Sequence, residues 1–236
     1  MRAVILAGGQ GSRLAPYSTL LPKPLMPMGE MPILEILIRQ LRRSQIERVT
    51  LAVGHLASLV MAYFNDGERL GVSIDYSQEL EPLGTAAPLR LVDGLDETFL
   101  VLNGDLLTDV DIPRMVAFHR QRGAEATVGV YARETLIDLG VVEADAEDRI
   151  TAYVEKPIHR HLVSMGLYVF EPSVLRNLPP QGRFDLPDLI TSLLADTRLV
   201  VGYKHTGYWC DIGRPEDYQR AQDEFPALKA RLLNGA

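Results

Sequence analysis

The sequence predicts an α/β domain with a mostly parallel mixed sheet flanked by helices. Short apolar runs typical of buried strands alternate with helical patterns through the first half of the chain. The second half contains more predicted strands than helices, which adds a β-rich portion to the domain. Because strands that alternate with helices usually pair in parallel, both faces of the sheet are expected to be covered.

The alternating elements of the first half follow from the spacing of apolar side chains. Ile33, Leu37 and Leu41 recur at helical spacing, whereas Val72, Ile74 and Tyr76 alternate with polar neighbours as in a strand. Strands are predicted at residues 3–7, 48–53, 72–77 and 99–102, and helices at residues 32–43, 56–64 and 84–92.

The second half is predicted to continue the same domain. Its strands are expected at residues 126–132, 140–142, 150–155, 165–170 and 199–203, with a helix at residues 215–225. No internal repeat or linker interrupts the chain, so residues 1–236 are interpreted as a single domain. Open α/β sheets bind ligands beyond the carboxyl ends of their strands, where the loops after Ala7 and Leu102 are expected.

Composition excludes several classes of protein. A net charge of −7 argues against a nucleic-acid partner, and no apolar run approaches the roughly 18 residues of a membrane span. The N-terminus is not expected to be a signal peptide, and the single Cys210 fits a reducing, cytoplasmic location. Residues 1–29 nevertheless carry Arg2, Arg13 and Lys23 and no acidic residue, which indicates a small anionic ligand.

A glycine-rich loop follows the first predicted strand. Gly8, Gly9 and Gly11 leave backbone N–H groups uncovered for phosphate oxygens, and Arg13 adds a charged fork. A tight turn with a surface arginine would explain the loop equally well. A P-loop needs Gly-Lys followed by Ser or Thr, and a dinucleotide fingerprint needs a glycine where this chain has Leu14, so neither pattern fits.

A Pro-Lys-Pro segment follows the loop. Pro22 and Pro24 fix φ on either side of Lys23 and disfavour a helix around it. A lysine held in a defined place could counter phosphate charge. A rigid exposed loop is the simpler explanation for this tripeptide in isolation.

Taken together, these motifs resemble the N-terminal signature of the nucleotide-sugar pyrophosphorylases, the sugar-1-phosphate nucleotidyltransferases. Ser12 stands where the family usually has threonine, which keeps the hydroxyl. Further family motifs appear in the family's order: Pro82-Leu83-Gly84-Thr85-Ala86, Leu102-Asn103-Gly104-Asp105, Glu155-Lys156-Pro157 and Trp209-Cys210-Asp211-Ile212-Gly213. The resemblance extends to about residue 222 and is greatest to short guanylyltransferases for mannose or heptose 1-phosphate.

The resemblance implies a Rossmann-like fold with a nucleotide-binding portion at about residues 1–110 and a sugar-phosphate-binding portion at about residues 111–225. In the family, a sugar-1-phosphate oxygen attacks the α-phosphorus of a nucleoside triphosphate, and pyrophosphate leaves. The chain stops soon after the last predicted helix, without the β-helix domain of longer relatives, so nucleotidyl transfer alone is expected. Whether the protein is a monomer or a homo-oligomer is left open.

The resemblance also assigns roles to individual residues. Arg13, Lys23 and Asp105 would be catalytic. The sugar phosphate would contact Gly140, Glu155, Lys156 and Ser164. The nucleotide would contact Leu6, Ala7, Gly8, Gly9, Gly11, Ser12, Arg13, Lys23, Glu79, Gly84, Thr85 and Asp105.

Asp105 and Asp211 would hold the cofactor, Mg²⁺, because this ion prefers one or two carboxylates together with substrate phosphates. Both acids are expected in solvent-accessible loops. Taken alone, Asp105 could be a turn-forming acid and Asp211 a helix cap, and an N-cap at a helix start would explain Thr85 equally well. Without the resemblance, Glu155 and Lys156 at a strand end would be interpreted as part of a solvated surface.

One departure from the family concerns the sugar. The family commonly has Asn-Ala-Gly before a tyrosine in the late strand, and here the segment is Ser164-Met165-Gly166-Leu167-Tyr168. A hydroxyl replaces an amide that contacts the sugar in relatives. The identity of the sugar is therefore left open.

The base is predicted from Glu79, which falls where the family places a base-reading side chain. If the strand continues, Ser73, Asp75, Ser77 and Glu79 share the face opposite the core. A carboxylate only accepts hydrogen bonds, and guanine offers two adjacent donors, so GTP is expected. The alternatives are a solvated Glu79, or Gln78 facing uracil or thymine in a uridylyl- or thymidylyltransferase.

Two further functions remain as alternatives to an active transferase. A catalytically silent, nucleotide-sugar-binding regulatory subunit would explain the same motifs, although loss of Arg13, Lys23, Asp105 or Asp211 would then be expected. A dinucleotide-dependent oxidoreductase is disfavoured by Leu14 and by the Pro-Lys-Pro segment.

Overall fold

The computed structural model describes residues 1–234 and contains a central sheet, three small sheets and five α-helices. The strands are β1 (Arg2–Ala7), β2 (Pro27–Met28), β3 (Met31–Pro32), β4 (Arg48–Val53), β5 (Ser73–Gln78), β6 (Phe99–Asn103), β7 (Leu106–Thr108), β8 (Ala126–Leu136), β9 (Gly140–Ala144), β10 (Ile150–Glu155), β11 (Ile158–Phe170), β12 (Val200–His205) and β13 (Trp209–Asp211). The helices are α1 (Ile33–Arg43), α2 (Ala57–Phe64), α3 (Ile112–Arg122), α4 (Leu186–Ala195) and α5 (Pro215–Asn234).

The central sheet has seven strands in the order β12-β8-β11-β6-β1-β4-β5. Only β11 runs antiparallel to its neighbours, β6 and β8. The predicted mostly parallel mixed sheet is therefore confirmed. Strand β1 lies between β4 and β6, parallel to both, and Leu6 is opposite Asn103. The loops that follow β1 and β6 consequently meet at the same edge of the sheet.

Helices cover both faces of the sheet because alternate side chains of the central strands point to opposite sides. Ala3 and Ile5 of β1 belong to a core shared with α1, α2 and α3, whereas Val4 belongs to a core shared with α4. A third core packs α5 against α1, β7 and β13. No helix within residues 1–234 combines the length and the apolar character that a bilayer span requires.

Four elements differ from their predicted bounds by more than two residues, and one of them is β8, which continues to Leu136 rather than ending at residue 132. The helix expected at residues 84–92 is a short 3-10 turn, Ala87–Leu91, because residues 82–86 form a turn that bonds elsewhere. Strand β11 begins seven residues before residue 165, since Ile158 pairs with Leu136 of β8. Helix α5 continues through Pro226 to Asn234 because Leu232 is fully buried in the third core.

Strands β8 and β11 extend beyond the central sheet and lead into the separate β9–β10 hairpin. Most side chains of this hairpin are exposed, including Val142, Ile150 and Tyr153. The β-rich portion predicted for the second half is this extension together with β12. The division into a nucleotide-binding and a sugar-phosphate-binding portion stays a prediction.

Candidate functional site

The glycine-rich loop begins where β1 ends. Gly8 is closely surrounded, and a β-carbon there would collide with the Glu79 carboxylate. Gly9 is exposed, and a β-carbon there would meet nothing within 4 Å. Gly11 has φ +62°, in the left-handed region, immediately before the 3-10 turn Ser12–Leu14. The loop therefore requires glycine at positions 8 and 11, and its backbone is open to a ligand at position 9.

Three charged side chains converge beside this loop. The Lys23 ammonium donates a hydrogen bond to Oδ2 of Asp105 and lies 3.8 Å from Oδ1 of Asp211. The side chains of Lys23 and Asp105 are 13% and 16% exposed, whereas that of Asp211 is 45% exposed. The structure thus brings together the lysine and the two acids that the sequence singled out.

Strand pairing explains why two acids so distant in sequence meet. Asp105 lies in the two-residue turn between β6 and β7. Strand β7 pairs antiparallel with β13, which places Leu106 opposite Asp211. The expectation that both acids lie in solvent-accessible loops is wrong: Asp105 is in a tight, largely buried turn, and Asp211 is the last residue of a strand.

Arg13 approaches the same acids from the loop side. A β-carbon at Gly213 would lie 3.5 Å from Nη2 of Arg13 and 3.4 Å from Oδ2 of Asp211, so both groups lie next to this glycine. Burial raises the pKa of Asp211, as does the charge of Asp105, while Lys23 and Arg13 act in the opposite direction. The site therefore combines two carboxylates with two cations.

The pair of acids fits a divalent cation. Oδ1 of Asp105 is buried without a hydrogen-bond partner, so its lone pairs are available to a metal ion. Across the part of the chain that the structure describes, no group of three or more His, Cys, Asp or Glu side chains is placed to hold a metal. A cation at Asp105 and Asp211 would take its other ligands from phosphates and water, which is the arrangement magnesium prefers.

Glu79 lies just past the end of β5, next to the glycine-rich loop. Its Oε2 accepts a hydrogen bond of 2.8 Å from the backbone N–H of Leu83, and the other side of its carboxylate faces Gly8. Burial raises the pKa of Glu79, and the hydrogen bond from Leu83 partly opposes this effect. The carboxylate is therefore held in place by both neighbouring segments rather than free in solvent.

The polar face expected along β5 is only partly present. Ser77 is buried because the 3-10 turn at residues 87–91 packs on it, and its hydroxyl lies 3.4 Å from the carbonyl oxygen of Leu91. Gln78, the alternative base-contacting residue, is exposed at the last position of the strand.

Gly84 and Thr85 connect this region to α4. Gly84 has φ +89°, and a β-carbon there would lie 2.7 Å from the carbonyl oxygen of Phe184. The Thr85 hydroxyl donates to Asp185 (3.1 Å) and accepts from the N–H of Leu186 (2.8 Å), the first residue of α4. Thr85 is thus not the N-cap of its own segment. It bonds instead to the first turn of a helix far along the chain.

Gly140, Glu155 and Lys156 meet at the open end of the β9–β10 hairpin. Gly140 pairs with Glu155, and a side chain at position 140 would overlap the Tyr153 hydroxyl. That hydroxyl donates to Glu155 over 3.0 Å. Lys156 has φ +46° and forms an ion pair of 2.7 Å with Asp138. The three predicted sugar-phosphate residues are neighbours, in an exposed part of the protein.

Ser164, the fourth predicted sugar contact, lies at a β-bulge in β11. Its hydroxyl is 2.9 Å from the Tyr168 hydroxyl and accepts from the N–H of Gly166 at 3.3 Å. Gly166 has φ +73°, and a β-carbon there would lie 2.5 Å from the Asn103 amide, two residues before Asp105. The bulge therefore places this segment close to the two acids.

A cavity of about 530 Å³ opens beside Asp211. It is lined partly by residues that the sequence had not identified as site residues. Its walls include Tyr131, Arg133, Trp209 and Arg214. Trp209 belonged to a recognised motif, but no role was assigned to it. Tyr131 and Arg133 are two residues apart, which in a strand places them on one face. Because the predicted strand ends at residue 132, the sequence did not place Arg133 on the same face as Tyr131.

Comparisons with known proteins identify the family and the fold of this chain. The model of the Nucleotidyl transferase family matches residues 2–227. The chain is 34% identical over 231 residues to the mannose-1-phosphate guanylyltransferase of Mycobacterium tuberculosis, covering 94% of this chain and 64% of that protein. It is also 34% identical over 241 residues to the UTP–glucose-1-phosphate uridylyltransferase of Synechocystis sp., covering 94% and 62%.

A solved structure with the same fold is that of a protein assigned as a glucose-1-phosphate thymidylyltransferase from Bacillus anthracis. It aligns with a TM-score of 0.75 at 25% identity and covers 94% of both chains. The chain spans less than two thirds of the length of the two curated relatives described above.

Proposed function

Because the chain belongs to the Nucleotidyl transferase family, we propose that it transfers a nucleotidyl group from a nucleoside triphosphate to a sugar 1-phosphate and releases pyrophosphate. One observation carries this proposal. Lys23 bonds Asp105 and lies 3.8 Å from Asp211, beside a glycine-rich loop at the carboxyl edge of the sheet. Such a site suits a reaction in which two anions are brought together and a leaving group gains charge.

The triphosphate is bound by the loop after β1. The exposed backbone at Gly9 and the left-handed turn at Gly11 and Ser12 offer N–H groups to phosphate oxygens. Arg13 adds a planar guanidinium close to Asp211. The remaining nucleotide contacts proposed here are Leu6, Ala7, Gly8, Gly84 and Thr85.

The cofactor is Mg²⁺, held by Asp105 and Asp211. The available Oδ1 of Asp105 and the partly exposed Asp211 suit an ion that takes most of its ligands from phosphates and water. When bound, the ion neutralises charge on the phosphate oxygens. Lys23 is already bonded to one of these acids, so it is positioned to stabilise the α-phosphate and the leaving pyrophosphate.

The sugar phosphate is bound by Gly140, Glu155, Lys156 and Ser164. Support comes from the pairing of Gly140 with Glu155, which places the glycine backbone beside the Glu155 carboxylate and the Tyr153 hydroxyl. Glu155 would accept hydrogen bonds from sugar hydroxyls. Lys156 would leave its ion pair with Asp138 and bind the phosphate instead.

GTP is the proposed nucleotide. Glu79 presents a carboxylate beside the phosphate-binding loop, and a carboxylate accepts both the N1–H and the amino group of guanine. The uridylyltransferase among the similar proteins supports UTP as the alternative, with exposed Gln78 pairing with the base.

The experiment measures pyrophosphate release with GTP, UTP, dTTP, CTP and ATP, each combined with several hexose and heptose 1-phosphates. At least one pair should turn over, and Lys23→Ala should lower its kcat by about 10²-fold, the scale for losing one electrostatic stabiliser. Binding of a nucleotide sugar without pyrophosphate release from any pair would instead indicate the silent regulatory subunit.

A further inference from the structure

The cavity beside Asp211 carries more positive charge than the proposed reaction uses. Four arginines line it: Arg13, Arg133, Arg214 and Arg220. Arg220 is paired with Asp217 at 2.8 Å. Among residues 1–234, the ion pairs within 4.0 Å include none with Arg13, Arg133 or Arg214. Since Arg13 is assigned to the triphosphate, Arg133 and Arg214 remain without a partner for their charge.

The acids of the cavity do not balance this excess. Asp211 faces Lys23 and the metal position, and Asp217 already pairs with Arg220. Glu216 is the remaining carboxylate in the lining of the cavity. Cations that share a cavity raise its positive potential, which attracts an anionic ligand.

Strands β13 and β8 supply the acidic, aromatic and arginine side chains that line the cavity. Asp211 and Trp209 are two residues apart in β13 and so share one face. Trp209 packs on Tyr131, with ring centroids 5.4 Å apart, and its indole N–H donates to the carbonyl oxygen of Met165 at 3.1 Å. Arg133 follows Tyr131 on the same face of β8. A fixed aromatic pair is thus flanked by the metal-binding acid and by an arginine.

We propose that Arg133, assisted by Arg214, binds a second anionic group on the sugar, so that the substrate is an acidic sugar 1-phosphate. The aromatic pair would contact the sugar ring while the 1-phosphate lies between Lys156 and the metal position at Asp211. The guanidinium of Arg133 then meets a carboxylate or a second phosphate elsewhere on the ring, a geometry that suits bidentate hydrogen bonds. This inference rests on the proposed function and specifies its substrate class.

The test compares neutral and acidic substrates of the same ring. Glucose 1-phosphate is compared with glucuronic acid 1-phosphate for the carboxylate and with glucose 1,6-bisphosphate for the second phosphate, and the mannose series is treated in the same way. In the wild type, kcat/KM should be about 10- to 100-fold higher for either the uronic acid 1-phosphate or the bisphosphate than for the neutral sugar 1-phosphate. This factor is the scale of a charge-assisted hydrogen bond.

Substitution of Arg133 should remove that preference. Arg133→Gln should lower the acidic-to-neutral ratio of kcat/KM by about 10- to 100-fold, and Arg133→Lys should restore part of it because the charge returns without the fork. Arg149→Gln, at the exposed end of the β9–β10 hairpin, is the matched control and should leave the ratio unchanged. Equal losses for neutral and acidic sugars would show that Arg133 serves the 1-phosphate or the fold, and would overturn the proposal.

Binding distinguishes failure of this inference from failure of the proposed function. Calorimetric titration of the wild type with glucuronic acid 1-phosphate, glucose 1,6-bisphosphate and glucose 1-phosphate needs no turnover. Tighter binding of an acidic sugar that is lost in Arg133→Gln would support the second anion site even if no pyrophosphate were released. Turnover without any preference for acidic sugars would overturn the inference and leave the nucleotidyl transfer intact.

Discussion

The Glu79 carboxylate lies so close to Gly8 that any β-carbon at position 8 would collide with its Oε1. The same carboxylate accepts the backbone N–H of Leu83 through Oε2. One side chain therefore joins the loop after β1, the end of β5 and the turn that contains Gly84. A group proposed to select the base is thereby coupled to the loop proposed to hold the phosphates.

This contact predicts that Gly8→Ala is more harmful than Gly9→Ala. The new methyl group at position 8 must displace Glu79, and overpacking of this kind costs about 1–3 kcal/mol of the free energy of unfolding. At position 9 the methyl group meets nothing, so the change should stay within about 0.5 kcal/mol. Urea unfolding of the wild type and both variants measures the difference. Equal stability of the two variants would mean that Glu79 does not lie against Gly8.

The second prediction concerns the metal pair. Asp105→Asn and Asp211→Asn should each lower kcat by at least about 10²-fold, because each removes a charge from the proposed Mg²⁺ site. Thermal unfolding with and without Mg²⁺ and nucleotide gives a readout that needs no turnover, and the stabilisation by Mg²⁺ should be lost in both variants. Asp148→Asn, an exposed acid at the end of the β9–β10 hairpin, is the control. Full Mg²⁺-dependent activity of either site variant would contradict the assignment.

The proximity of Asp105 to the glycine-rich loop follows from signals that are local in sequence, whereas Lys23 and Asp211 were placed with them by the family resemblance. A glycine-rich loop after a strand and an acid after another strand must meet at one edge of a parallel sheet. The bonding of Thr85 to Asp185 could not be predicted in this way, because nothing near either residue indicates a partner 100 positions away. The helix expected at residues 84–92 failed for the same reason, since these bonds replace its first turn.

Two of the other missed bounds, in β11 and α5, have different physical causes. Residues 158–163 alternate poorly in polarity, so only their pairing with β8 identifies them as a strand. Pro226 normally ends or kinks a helix at a cost of about 3 kcal/mol, yet α5 continues because residues on both sides of it, Phe225 and Leu232, are buried. Arg133 was missed because β8 was predicted to end at residue 132, whereas its pairing with β11 continues it to Leu136. Tertiary packing, rather than local pattern, decides these positions.

A third prediction links stability to pH through Glu35, a buried acid on α1. Burial opposes its ionisation, but hydrogen bonds from Arg39 and Tyr63 and the charge of Arg69 together hold the pKa of Glu35 below its ordinary value near 4.5. A lowered pKa stabilises the fold at pH values above 4.5, and this stabilisation is lost as the pH falls through the lowered value.

Glu35→Gln should therefore cost about 1–3 kcal/mol at pH 7, the scale for losing hydrogen bonds to a charged group, and less below pH 4.5. Glu47→Gln, whose ion pair with Arg42 is exposed on both sides, should change stability by less than about 1 kcal/mol at either pH. Urea unfolding at pH 7 and pH 4 gives the comparison. A difference between wild type and Glu35→Gln that does not depend on pH would refute the role of the Glu35 charge.

The last prediction is the preference for GTP. Guanine offers N1–H and an amino group side by side, and the Glu79 carboxylate can accept both while uracil and thymine place a carbonyl oxygen against it. Initial rates with GTP, UTP and dTTP should favour GTP in the wild type, by about 10-fold or more. Glu79→Gln keeps an acceptor for Leu83 but introduces an amide donor, so it should reduce the GTP preference by a similar factor.

Two neighbouring substitutions make this result specific to Glu79. Glu81→Gln removes an exposed acid from the same loop and should leave the ratio of GTP to UTP rates unchanged. Gln78→Ala tests the alternative in which the exposed amide pairs with uracil or thymine. Because burial raises the pKa of Glu79, the GTP preference should also weaken as the pH falls through that raised value and the carboxylate gains a proton. A wild-type preference for UTP or dTTP that Gln78→Ala abolishes and Glu79→Gln leaves intact would assign the base to Gln78 instead.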